Sequence, residues 1–97
     1  MQYDVHALPN GQLVVDVQAD ALSLGETCVV VPLVPADDDA RPIRGLTPVV
    51  RVGGKELMIA VQLVSVVRRR DLSSAEASLQ AERLTIQAAL DLLLNGH

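Results

Sequence analysis

The chain has 97 residues, 12 acidic and 8 basic side chains, a formal charge of −4 and a single aromatic residue, Tyr3. Gripping nucleic acid through phosphate neutralisation and base stacking calls for a basic, aromatic surface, so this composition argues against direct nucleic-acid binding. The length suits one domain over residues 1–97, large enough for a single core and small enough to gain from oligomerisation.

All 15 Val residues lie at or before Val67, whereas Leu, Ala, Glu and Gln dominate the remainder. β-Branched side chains favour a pleated sheet and unbranched or γ-branched ones a helix, so the order is strands first and helix last, an α+β layout. Residues 2–8 and 12–19 read as a hairpin with inward sets Tyr3, Val5, Ala7 and Leu13, Val15, Val17. A two-residue Asn10-Gly11 turn would put these sets on opposite faces. A three-residue Pro9-Asn10-Gly11 loop instead pairs Ala7 with Leu13 and Val5 with Val15, with Pro opening a type I turn and Gly at the left-handed position. A third strand, residues 27–33, is apolar on both faces from Cys28 to Val31. Pro32 removes a ladder donor there and calls for an edge, a bulge or a strand end. Residues 35–45 hold three Asp, two Arg and two Pro and read as an exposed loop. Strands 46–52 and 55–63 flank Gly53-Gly54, a two-residue turn that aligns Val50 with Leu57 and Pro48 with Ile59. Residues 64–70 read as a further strand.

The helix spans residues 78–95. The alternative start at Ser73, where Ser73-Ser74-Ala75-Glu76 has capping-box spacing, is set aside for a loose turn up to Ser78. At about 100° per residue, Leu79, Ile86, Leu90, Leu93 and Leu94 fall on one side and Ala81, Leu84, Ala88 and Leu92 on the other. Two burial partners follow, the chain's own sheet and a second polypeptide, because an exposed Leu forfeits about 1.5–3 kcal/mol. The expected dimer face is Ile86, Leu90, Leu93 and Leu94.

Catalytic constellations are thin. His6 falls on the outward face of its strand and reads as a solvated residue, far in sequence from His97. Cys28 has no neighbouring base and reads as core, and one cysteine permits no intrachain disulfide, which suits the cytoplasm. Asp37, Asp38 and Asp39 read as solvated loop rather than metal ligands, and Gly53-Gly54 as a turn rather than a phosphate cradle. No cofactor or metal is expected. Neither a leader nor a membrane span is expected, since no basic segment precedes an apolar run at the start and no apolar stretch nears about 18 residues. Arg68, Arg69 and Arg70 form the one basic concentration. Extended, they alternate sides so that at most two share a face; they serve either as a solvated edge or as a dock for an acidic peptide.

Several segments, in order, resemble the CcdB family of toxins: Met1-Gln2-Tyr3-Asp4-Val5, Leu13 through Asp20, Val30-Val31-Pro32-Leu33, Leu46 through Gly53, and the closing helix. The likeness covers almost the whole chain, with a shorter first turn and central loop. It implies an SH3-like antiparallel barrel of about five main strands with a small accessory sheet, a C-terminal helix and a homodimer. It further implies binding to the A subunit of DNA gyrase, trapping of that enzyme on cleaved DNA, and neutralisation by a partly disordered antitoxin. That antitoxin uses the toxin as co-repressor, so DNA is met only through it. The family's gyrase contact lies in a terminal Trp, Gly and apolar residue; here those positions are Asn95, Gly96 and His97, and Gly96 alone matches.

The resemblance therefore implies a non-enzymatic toxin. Two other readings are a MazF-like endoribonuclease using Arg68 to Arg70 with Asp71 or His6, and a degenerate member retained as antitoxin-bound co-repressor.

Overall fold

The structure, a computed structural model, describes residues 1–22, 25–36 and 41–97. Among these residues seven strands and one α-helix follow in order: β1 (Asp4–Ala7), β2 (Leu13–Asp16), β3 (Thr27–Val34), β4 (Val49–Val52), β5 (Lys55–Ile59), β6 (Ser65–Arg68), β7 (Ala77–Ser78) and α1 (Arg83–Asn95).

Both local turns set their hairpins as their residues dictate. The Leu8 carbonyl accepts the Gly11 N–H at 2.8 Å, Gly11 takes φ +87°, and β1 meets β2 with Val5 opposite Val15 and Ala7 opposite Leu13. Gly53 and Gly54 both have positive φ, the backbone of a type I′ turn, and place Val50 opposite Leu57. One step beyond the ladder, Ile59 N–H donates to the Pro48 carbonyl at 2.8 Å, so that part of the expected register continues past β4.

β3 organises the sheets. One edge pairs with β2, while the other pairs first with β6, over Thr27–Val30, and then with β5 at Leu33 and Val34. Pro32 sits where this second edge changes partner. Its ring nitrogen has no proton to leave unpaired in the gap, and its carbonyl accepts Ala60 N–H at 3.0 Å. The main sheet therefore runs β7-β1-β2-β3-β6, and β3-β5-β4 forms the small accessory one. Together they make a nearly closed antiparallel, barrel-like fold with a C-terminal helix, the α+β class expected.

Period-two alternation distributes the Val-rich strands over two clusters. Val5, Val15, Val31, Leu33, Leu57 and Ile59 turn into the main core, where Tyr3, Leu79, Ile86 and Ala89 join them. Val14, Cys28 and Val30 turn to the other face and are covered by Leu8, Val67 and Leu72. Tyr3 adopts φ +70° just before β1, and its buried hydroxyl accepts a 2.9 Å bond from Gln87 Nε2, joining the start of the sheet to the helix.

The stretch before the helix departs from the expected loose turn. Ser73 N–H donates to the Ala7 carbonyl, Glu76 N–H to Val5 and Leu79 N–H to Tyr3, so residues 73–79 run antiparallel along β1. The bond at Leu79 holds the chain to the sheet. A 3-10 turn at Gln80–Glu82 then leads into α1 at Arg83, later than the expected Ser78. No capping box forms at Ser73. Its hydroxyl accepts the Ala7 N–H and lies 3.3 Å from Glu76 Oε2. The helix closes at Gly96, which takes φ +76° and donates its N–H to the Leu92 carbonyl, an αL cap.

Candidate functional site

Three surfaces carry residues that the sequence singles out. The first is α1. Ile86 and Ala89 have 0 % exposure, and Leu90 and Leu93 pack partly against the same core. This corrects the expected dimer face: Ile86 is wholly occupied by the chain's own barrel, so a second copy has no access to it. Leu94, expected on the same side, is 74 % exposed, because it lies about 80° round the helix from Ile86, at the edge of the buried stripe. On the side opposite Ile86, Leu84 is 66 % exposed and Ala81 and Ala88 are also open, while Leu92 turns toward Gly45. The free apolar surface of the helix is thus Leu84, Ala88 and Leu94.

The second surface is the tail. Asn95, Gly96 and His97 are all exposed, and the αL cap at Gly96 turns the backbone away from the helix axis.

The third is the arginine run. Arg68 ends β6, and Arg69–Asp71 forms a 3-10 turn, so the run is not extended. The expectation that at most two arginines share a face gives way to an arrangement in which Arg68, Arg69 and Arg70, with Glu26, line one cavity of about 410 Å³. Arg68 Nε is 2.9 Å from Asp71 Oδ2. Arg69 Nη2 reaches the Thr27 carbonyl at 3.4 Å, and its buried Nε has no acceptor. Glu26 escaped sequence reasoning because it meets the arginines only through the β3–β6 pairing, with Arg69 N–H donating to the Glu26 carbonyl.

His6 is not the solvated residue its strand position suggests. Its Nδ1–H donates to the Ser73 carbonyl at 2.8 Å, and Nε2 is buried and without a partner. Nε2 is shut off from solvent, and Asp71 is engaged by Arg68. Cys28 is buried, and burial, followed by the hydrogen bond and charge of Asp16, pushes its thiol up to about 11. At neutral pH it is a protonated packing group. Asp37, Asp38 and Asp39 lie outside the described residues. Among the described residues no group of three or more His, Cys, Asp and Glu side chains could hold a metal ion, and no helix is long and apolar enough to cross a membrane.

The fold is thus a small barrel with an apolar helix face, an exposed tail and a cationic cavity. The family described as CcdB protein matches residues 2–96, and the chain belongs to that family, the toxins of a class of toxin–antitoxin systems. No curated protein matches the chain.

Proposed function

We propose that the protein is the toxin of a type II toxin–antitoxin pair. It acts as a cytoplasmic homodimer that binds the A subunit of DNA gyrase through Asn95, Gly96 and His97, and its antitoxin neutralises it at Arg68, Arg69 and Arg70. Family membership over residues 2–96 carries the reading. The exposed Leu84 and Leu94 support the dimer, since isolated monomers gain nothing from leaving such side chains in water. The tail supports a protein contact because all three of its residues are exposed at the helix end.

Asn95 in place of the family's Trp weakens the gyrase contact by the indole's stacking and burial, about 2 kcal/mol or roughly 30-fold per tail. That same residue favours a second reading, a family member kept as antitoxin-bound co-repressor. Expression in bacteria, together with gyrase cleavage assays on the purified protein, separates the two. Growth arrest and trapped, cleaved DNA support the toxin; their absence supports the co-repressor. Asn95→Trp should enhance trapping by about the stated factor, and an unchanged result would remove the tail from the gyrase contact.

A further inference from the structure

Two clefts meet at Arg68. One is the arginine cavity of about 410 Å³; the other, of about 450 Å³, is lined chiefly by Leu8, Pro9, Val66 and Val67, with Arg68 shared. The first is cationic; the second sets those four apolar residues beside Asn10, Asp71 and the shared Arg68. Among the described residues Arg68 has its carboxylate in Asp71, whereas neither Arg69 nor Arg70 forms an ion pair. Arg69 is the more telling of the two. A guanidinium carries five donors, and among the described residues this one makes a single bond of 3.4 Å while its Nε–H goes without an acceptor. Such a group lacks its complement, and a carboxylate supplies two in-plane oxygens that match it. Three arginines against Glu26 and the Asp71 that pairs Arg68 still leave a positive excess on a molecule whose net charge is −4.

The backbone beside the clefts is open as well. The bond from Arg69 N–H to the Glu26 carbonyl sets the ladder parity, so Ser65 and Val67 bond to β3 while the N–H and C=O of Val66 and Arg68 point away from it. Among the described residues no strand pairs with that outer edge of β6.

We propose that this groove takes an extended peptide carrying an acidic residue close to an apolar one. The peptide pairs with the outer edge of β6, its carboxylate engages Arg69 and Arg70, and its apolar side chain fills the cleft of Leu8, Pro9, Val66 and Val67. The inference rests on the toxin–antitoxin reading, in which the antitoxin's disordered segment is the peptide, and adds the side-chain chemistry that segment must have. Charge complementarity selects this occupant over a second copy of a chain that is itself acidic.

The test uses the full chain at low salt and a short capped peptide alternating Glu and Leu, with its Gln/Leu analogue and inorganic phosphate as comparison probes. Titration calorimetry should show the Glu/Leu peptide binding, with Arg69→Gln weakening it by about tenfold or more at an unchanged melting temperature, and Arg70→Gln weakening it less. The Arg69 Nε–H resonance should move on titration with that peptide and not with its Gln analogue. Equal binding by Arg69→Gln overturns the proposal. So does a response to phosphate without one to the peptide, which would mark a small-oxyanion site, or loss of dimer rather than of peptide in the arginine variants. The antitoxin encoded beside the gene separates failure of this site from failure of the function. If it binds native and Arg69→Gln/Arg70→Gln proteins alike, the groove is refuted and the toxin reading stands. If neither growth arrest nor an antitoxin exists, the toxin reading falls, while the peptide titration still decides the groove.

Discussion

Replacing Leu84 and Leu94 together by Ser tests the dimer surface directly. Complete burial of a Leu side chain is worth about 1.5–3 kcal/mol. With 66 % of Leu84 and 74 % of Leu94 still exposed, the pair has roughly 2–4 kcal/mol left to gain per protomer, and two-fold symmetry makes that about 4–8 kcal/mol across the interface. The translational and rotational cost of association is common to native and variant proteins, so it cancels in the comparison. Even the lower bound weakens the dimer about a thousandfold. At exposed helix positions Ser leaves the monomer fold nearly untouched, within about 0.5 kcal/mol per site. Sedimentation equilibrium over the micromolar range should therefore show a native dimer and a monomeric variant. Thermal unfolding should depend on protein concentration only for the native chain. An unchanged dissociation constant refutes the reasoning, and so does a dimer that survives these changes yet is broken by Val49→Ser or Leu63→Ser, both exposed apolar residues outside α1.

Other positions test the core, the turn and the buried thiol. Ile86→Ala should cost about 2–5 kcal/mol in urea unfolding, because the side chain is fully buried and its removal leaves a cavity between α1 and the sheets. Gly54→Ala should cost about 1–2 kcal/mol although its new methyl meets nothing within 4 Å, because φ is +80°; Gly54→Asn should cost less, and equal costs would show that space rather than backbone angle decides. Cys28 should resist iodoacetamide in the native protein and react on unfolding. Its thiol is raised from 9.0 to about 11, so the folded state holds the proton longer. The stabilising contribution is fully present below about pH 9 and is lost as pH rises towards 11, at most about 3 kcal/mol. Cys28→Ala should flatten that part of the stability profile, and an identical alkaline slope in the variant would contradict the assignment.

Short-range chemistry was legible in the residues. Pro9-Asn10-Gly11 and Gly53-Gly54 specify their own turn geometries, and a turn's length sets the register of its hairpin, so both pairings follow without knowledge of the rest of the molecule. The change from Val-rich to Leu- and Ala-rich sequence located the helix for the same local reason.

The tertiary structure decided whatever depends on residues far apart in the chain. Residues 73–79 hold to β1 through bonds spanning more than 60 positions, which delayed the helix and half-buried His6. After its ladder bond to Glu26 the arginine run turns, with Leu72 N–H closing a 3-10 turn on the Arg69 carbonyl, and that turn gathers three cations around one cavity. The sequence marked α1 as apolar on two sides, but the seating of the helix on the barrel determined that Ile86 would be enclosed and Leu84 left open. Periodicity specifies the angles between side chains on a helix; which of those angles meets the core depends on the rotation of the whole helix, and that is a property of the packed molecule.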